Sequence, residues 1–413
     1  MPFFFSKYSG LLLIFFVHGL VYAFLLLRKG MLYEKASDKW LSLYLLLSIM
    51  YICPWMLGFA GWYNGNDCME CRNFLFYMPF QHTLLMGPVI YFYVQSLLNP
   101  HFLFVKKHAW HLLPSLLYIV WNIIVAVTDR VILKKYYLMD GQQDPDFQIW
   151  YVALGLISLL VYLFLSLNYY QRYRKFIVQE LSFADTVAFK WVRNFLIACF
   201  IYFLSSLFLG ILELLGVQIK YTDSWWYYLL FAILFYYIAI NGYSNAIENR
   251  AIYTLDFLRY NATKQLVAPT VNEEPTIQDI PFEVVDNNVA EQIENNDTEI
   301  YSQWKQKIIA LVVGEKMYQN PALTLTELSK KLNTNSSILS KIINQSFGMN
   351  FNDFINYYRV EDVKEKLQQP NNAHLTIMSI AYDAGFNSKA TFNRSFKKLT
   401  GKNPKDFMLT TLL

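Results

Sequence analysis

Residues 224–243 read SWWYYLLFAILFYYIAINGY, twenty positions without an Asp, Glu, Lys or Arg. A helix rises 1.5 Å per residue, so about 20 apolar residues cross a hydrocarbon core ~30 Å thick. The pair Trp225/Trp226 at its start suits an interface, where an indole ring lies in lipid and its N–H stays wet. Six more uncharged runs precede it: Ser9–Leu27, Trp40–Phe59, Phe74–Leu98, Ala109–Thr128, Trp150–Tyr170 and Asn194–Leu212. Seven runs of spanning length predict a seven-helix transmembrane domain over residues 1–243 rather than buried helices of a soluble core. Arg28-Lys29 follows the first run with no small-residue cleavage pattern, so that run reads as a retained span.

The whole-chain averages blur this. The 413 residues are 55% hydrophobic and 16% charged, against about 25% charged in a soluble domain. One ordinary soluble domain and a wholly disordered chain are both excluded. Four cysteines exclude a disulfide scaffold. The net charge of +4 divides into +5 over residues 1–243, −8 over 244–299 and +7 over 300–413. Nine of the ten tryptophans lie in the first segment, and Trp304 alone lies outside it.

Orientation follows from Lys and Arg in the short loops. With the N-terminus outside, the inner loops carry eleven and the outer side six. The expected protein is thus a multi-pass membrane protein with a cytoplasmic C-terminal domain. Within the runs, His18, Gln81, His82 and Asn122 are polar. They read as hydrogen-bond glue between helices or, for His18 and His82, as ligand-sensing groups. Cys68 and Cys71 fall in the first outer loop, as a local disulfide, a redox sensor or plain thiols. No second CxxC or His pair completes a zinc site, so neither metal nor cofactor is expected.

Residues 244–262 keep helical character. From Gln265 to Glu299 there are nine acids, three prolines and no Lys or Arg, so residues 244–299 read as a juxtamembrane helix and an acidic flexible linker.

From residue 300 the pattern is soluble and helical. Ile308, Ile309, Leu311, Val312 and Val313 give one apolar face. Thr324…Glu327 has capping-box spacing and opens a helix Leu325–Leu332. Asn333-Thr-Asn335 is the turn, and Ser336–Ser346 is a second helix with Leu339, Ile342 and Ile343 inward. Gly348 closes it. Helix, short turn, helix is the helix-turn-helix layout. It recurs: Thr376 caps Ile377–Ala384, Gly385 turns the chain, and Asn387 or Ser388 caps Lys389–Leu399 with Phe392 and Phe396 on its buried side. Gly401 ends that helix, Asn403-Pro404 opens a last one, and Phe351–Gln368 reads as one long connector.

The stretch Ser379 to Phe407, with Ala381, Gly385-Phe386, Phe392-Asn-Arg394-Ser-Phe396-Lys397 and Gly401-Lys-Asn-Pro404-Lys-Asp-Phe407, resembles the signature of the AraC/XylS transcription regulators. The first unit matches through Leu339-Ser340-Lys341, Phe347-Gly348 and Tyr358-Arg359-Val-Glu361; Ser329 and Ile343 stand where the family usually has Ala and an aromatic. The resemblance covers about residues 305–410. It implies a soluble seven-helix domain whose two recognition helices enter successive major grooves, ~34 Å apart. It carries DNA contact to Ser336, Ser337, Ser340 and Lys341 in one recognition helix and to Lys389, Thr391, Asn393 and Arg394 in the other. Arg and Lys can read guanine, Asn adenine, and Ser or Thr either base or phosphate; Lys397 and Lys398 suit phosphates.

The expectation is an all-α protein: a seven-span bundle, then an AraC-type helix-turn-helix domain over residues 300–413. It would be a membrane-embedded transcription regulator coupling a membrane or external signal to promoter binding. Its implied partners are double-stranded promoter DNA, the lipid bilayer, RNA polymerase, a second copy in a homodimer and a signal ligand of unknown identity. The alternative is a transporter-like or receptor-like protein whose helix-turn-helix domain is regulatory or released by proteolysis. HExxH, GxSxG, Walker A and GxGxxG patterns are absent from the sequence, so no enzyme is expected.

Overall fold

The computed structural model describes residues 3–64, 68–99, 102–139, 145–182, 190–217, 220–248, 297–369 and 374–411. The expected acidic linker falls mostly outside them. Among the described residues the chain is all helical, with one isolated antiparallel bridge between Leu181 and Thr324. It divides into two compact units: Met1–Gln171 with Phe189–Leu255, and Arg172–Ala188 with Asp256–Leu413.

The first unit is built from α1 (Lys7–Leu32), α2 (Ala36–Phe59), α3 (Met69–Tyr77), α4 (Thr83–Leu98), α5 (Lys106–Ile132), the start of α6 (Ile149–Glu180), α7 (Lys190–Leu214) and α8 (Trp225–Glu248). Helices α1, α2, α5, α6, α7 and α8 are long and apolar enough to cross a membrane, by length and composition. α1 packs along α2 and α8. A Cβ on Gly19 would lie 2.8 Å from the Phe235 ring and 2.9 Å from Ile49, so only glycine permits that approach. The Ser42 hydroxyl bonds the Ala23 carbonyl at 2.6 Å across the same α1–α2 seam.

The run Phe74–Leu98 departs from its expected form. It is not one helix: α3 ends at Tyr77, and α4 starts at Thr83. Pro79 has no N–H to continue a ladder and holds Met78 extended. The buried Asp146 carboxylate then accepts the Phe80 and Gln81 N–H groups at 2.7 and 2.9 Å, and the Tyr118 hydroxyl at 2.6 Å. α4 keeps 16 residues, about 24 Å of helix, shorter than the other six.

The second unit holds α9 (Asp297–Ile309), α10 (Leu325–Lys331), α11 (Ser336–Phe347), α12 (Phe351–Gln368), α13 (Ile377–Asp383), α14 (Lys389–Thr400) and α15 (Pro404–Thr411). The expected boundaries in this domain hold within a residue or two at most ends. There are two cores. The first gathers Ile308, Val312, Leu328, Leu339, Ile342 and Phe354; the second gathers Val363, Ile380, Phe386, Phe392 and Phe396. α12 serves both, giving Phe351, Phe354 and Ile355 to one and Val360 and Val363 to the other.

Candidate nucleic-acid interface

Each helix-turn-helix unit is set by local caps. In the first, the Thr324 hydroxyl accepts the Glu327 N–H at 3.1 Å and starts α10. Asn333 turns the chain at φ +50, and the Asn335 side chain accepts the Ser337 N–H at 2.7 Å to start α11. In the second, Thr376 caps α13, and Ser388 caps α14 by accepting the Thr391 N–H at 3.1 Å. Gly348 and Gly401 end the two recognition helices in the left-handed region.

The buried rows aim the exposed ones. Leu339, Ile342 and Ile343 anchor α11, leaving Ser336, Ser337 and Ser340 half-buried and Lys341 exposed. Phe392 and Phe396 anchor α14 within an aromatic chain running Phe386, Phe392, Phe396, Phe407, with ring centroids 5.3 to 5.5 Å apart. Lys389, Asn393, Arg394, Lys397 and Lys398 are exposed. Two expected contacts have other partners. Thr391 is 2% exposed, and its hydroxyl pairs with Ser388 at 2.9 Å within the cap. Lys398 forms an ion pair with Asp353 at 2.8 Å.

Two residues hold the units together. Gly385, at φ +92, lies so close to the turn Met317–Gln319, which precedes the first helix-turn-helix unit, that a Cβ there would be 2.5 Å from the Tyr318 carbonyl oxygen. Arg359, 1% exposed, donates from Nε to the Tyr318 carbonyl and from Nη2 to the Asn320 carbonyl, both at 2.7 Å. Its guanidinium also lies 5.8 Å from the Phe386 ring centroid. Burial pushes the guanidinium down to about 9, which leaves it charged at neutral pH. Arg359 stood in the sequence only as part of a motif; the loop it fastens lies about forty positions upstream and had no local signal.

The first compact unit, outside the helix-turn-helix domain, contains a cavity of about 750 Å³ with no charged residue among the described residues of its lining. Trp55 stacks on Tyr228 and Tyr221 in its wall, with centroids 4.0 and 4.9 Å apart. Gln81 also lines it, and its Nε2 is buried without a hydrogen-bond partner. The two expected sensing histidines lie elsewhere. His18 packs between the Tyr22 and Tyr236 rings at 4.5 and 4.3 Å, and buried His82 precedes α4; neither lines the cavity. Cys68 and Cys71 are joined in a disulfide. Among the described residues no group of three or more His, Cys, Asp or Glu could hold a metal ion.

Two capped helix pairs, each presenting a polar second helix over an apolar anchor, define the C-terminal domain as a double helix-turn-helix domain. Residues 328–409 match the family model described as a helix-turn-helix domain, of AraC type. Over 85 residues the chain is 39% identical to an uncharacterized HTH-type transcriptional regulator of Staphylococcus aureus (strain COL), covering 21% of this chain and 11% of that protein. It is 29% identical over 113 residues to the Msm operon regulatory protein of Streptococcus mutans, covering 27% of this chain and 37% of that protein. The chain thus spans about a tenth to a third of these relatives' length. A solved protein of unknown function from Listeria innocua aligns at 27% identity and a TM-score of 0.23, covering 25% of this chain and 94% of that one.

Proposed function

We propose that this chain is a membrane-embedded, sequence-specific transcription regulator that couples a membrane or external signal to promoter binding. The observation that carries the output half is the repetition of one device: two recognition helices, each with a polar row fixed by a buried apolar row. In this reading Arg394, Asn393 and Lys389 read bases in one major groove, and Ser336, Ser337, Ser340 and Lys341 meet the adjacent one. Lys397 holds phosphate, and Lys398 joins it once released from Asp353. Thr391 shapes the helix start and makes no DNA contact.

The input half has its own support. α1 exposes Ile14, Val17, Val21 and Phe24, an apolar face that suits lipid far better than water. The tyrosine-lined cavity is concave, uncharged among its described lining residues and of ligand size, with a few polar groups to orient a guest. The N-terminus lies outside and the helix-turn-helix domain in the cytoplasm of a bacterial inner membrane. RNA polymerase and a second copy of the chain are the remaining partners.

The test is chromatin mapping of the full-length protein in its native cell, followed by binding of the recovered fragments to the full chain in lipid nanodiscs. Discrete promoter peaks and steeply salt-dependent binding are expected. No enriched DNA, or binding indifferent to salt, overturns the reading.

A further inference from the structure

The helix-turn-helix domain carries on its surface an occupant from far away in the chain. α6 has 32 residues, about 48 Å of helix, and its uncharged run stops at Tyr170. Residues Arg172–Ala188 belong to the same compact unit as the C-terminal domain. At the end of α6 the Glu180 carboxylate, 4% exposed, accepts the Thr326 N–H at 3.0 Å and the Thr326 hydroxyl. Leu181 bridges to Thr324, and the Ser182 N–H donates to the Leu323 carbonyl at 3.2 Å. Asn352 Nδ2 donates to the Leu181 carbonyl at 3.2 Å. Arg359 donates from Nη1 to the Ser182 carbonyl at 3.2 Å and from Nη2 to the Ser182 hydroxyl at 3.1 Å.

These contacts fall on the start of the first helix-turn-helix unit and on the part of α12 beside it. The pairing is also selective chemically. A buried carboxylate is tolerated only where donors surround it, and a buried guanidinium only where acceptors do. Docking satisfies both, and undocking must rehydrate both.

We propose that Glu180, Leu181 and Ser182 form an intramolecular latch by which α6 controls the first helix-turn-helix unit. Docked, they hold α10 against α12 and keep that unit in its DNA-binding shape. A signal that moves α6 releases the latch and weakens the first unit, while the second unit, with its own core, is unaffected. A ligand drives this only by binding the two states differently. The proposal rests on the DNA-binding reading above for its functional half, and on the hydrogen bonds alone for the docking.

The test uses the full chain in lipid nanodiscs, with a fragment recovered by chromatin mapping as the probe. Glu180→Ala should raise amide hydrogen exchange over residues 323–328 about tenfold or more, leave residues 389–400 unchanged, and weaken fragment binding about tenfold. Glu180→Gln, whose amide oxygen still accepts from Thr326, should stay close to wild type. If Glu180→Ala loosens the whole domain, Ser182→Ala, which removes one hydrogen bond, replaces it with the same pattern on a smaller scale. Unchanged exchange over 323–328 overturns the docking. Raised exchange with unchanged binding reduces the contact to packing and overturns the control. A wild-type chain that binds no fragment overturns the DNA-binding reading and the control with it, and the exchange data still decide the docking.

Discussion

Arg359 and Ser182 are 177 positions apart in the sequence, yet the Arg359 guanidinium bonds both the carbonyl and the hydroxyl of Ser182. The same side chain fastens Tyr318 and Asn320. One planar fork with five donors thereby joins three stretches of chain, a task that suits arginine and not lysine.

Removing that fork should be severe. Arg359→Met strands several buried carbonyls, and a loss of about 3–5 kcal/mol is expected for the C-terminal unit. Arg359→Lys should also destabilise, because one ammonium cannot span the same acceptors. Hydrogen exchange over residues 317–328 in the full chain measures both; protection equal to wild type would show that the fork contributes nothing.

Base reading and phosphate holding should separate on α14. Arg394→Ala should lose about 1–3 kcal/mol at its preferred site and relax specificity there. Lys397→Ala should weaken binding evenly across sequences and lower the salt slope by about one. Titration of specific and scrambled duplexes at several salt concentrations makes the comparison. Equal losses on both duplexes for Arg394→Ala would reassign it to phosphate.

Gly385→Ala should be costly although only a methyl is added. The position combines φ +92 with a Cβ 2.5 Å from the Tyr318 oxygen and 2.7 Å from the Gln319 oxygen. Strain of about 1–2 kcal/mol from the backbone adds to the steric displacement. Reduced exchange protection in residues 377–400 is the expected readout; unaltered protection would mean that the loop yields freely.

Thiol counting tests the Cys68–Cys71 bond. After denaturation without reductant, two thiols, Cys53 and Cys199, should be alkylated; after reduction, four. Four alkylated thiols before reduction would show that Cys68 and Cys71 are free and would argue against an oxidising outer compartment for that loop.

Legibility followed the range of the interactions. Leu339, Ile342, Phe392 and Phe396 were readable because a buried helix face repeats every three to four residues. Thr324, Thr376, Gly348 and Gly401 were readable because caps are local. Thr391 was carried over from the motif as a DNA contact, and its place in that motif says nothing of the Ser388 cap that draws its hydroxyl inward. The break in the third run had one local sign, Pro79, but its stabiliser, Asp146, lies 66 and 65 positions from the two N–H groups it receives.

The sequence by itself therefore determined that this chain is helical throughout its described length, that its first part is apolar in runs of spanning length, and that its C-terminal domain repeats a capped helix pair. Those are consequences of composition, period and caps, each written within a few turns of helix. The tertiary structure alone decided that the end of α6 docks on the first helix-turn-helix unit, that Arg359 spans three segments, and that the cavity excludes both expected histidines. Such pairings follow from burial, which makes a hidden charge or an orphaned carbonyl costly unless the folded chain brings it a partner, however distant in sequence.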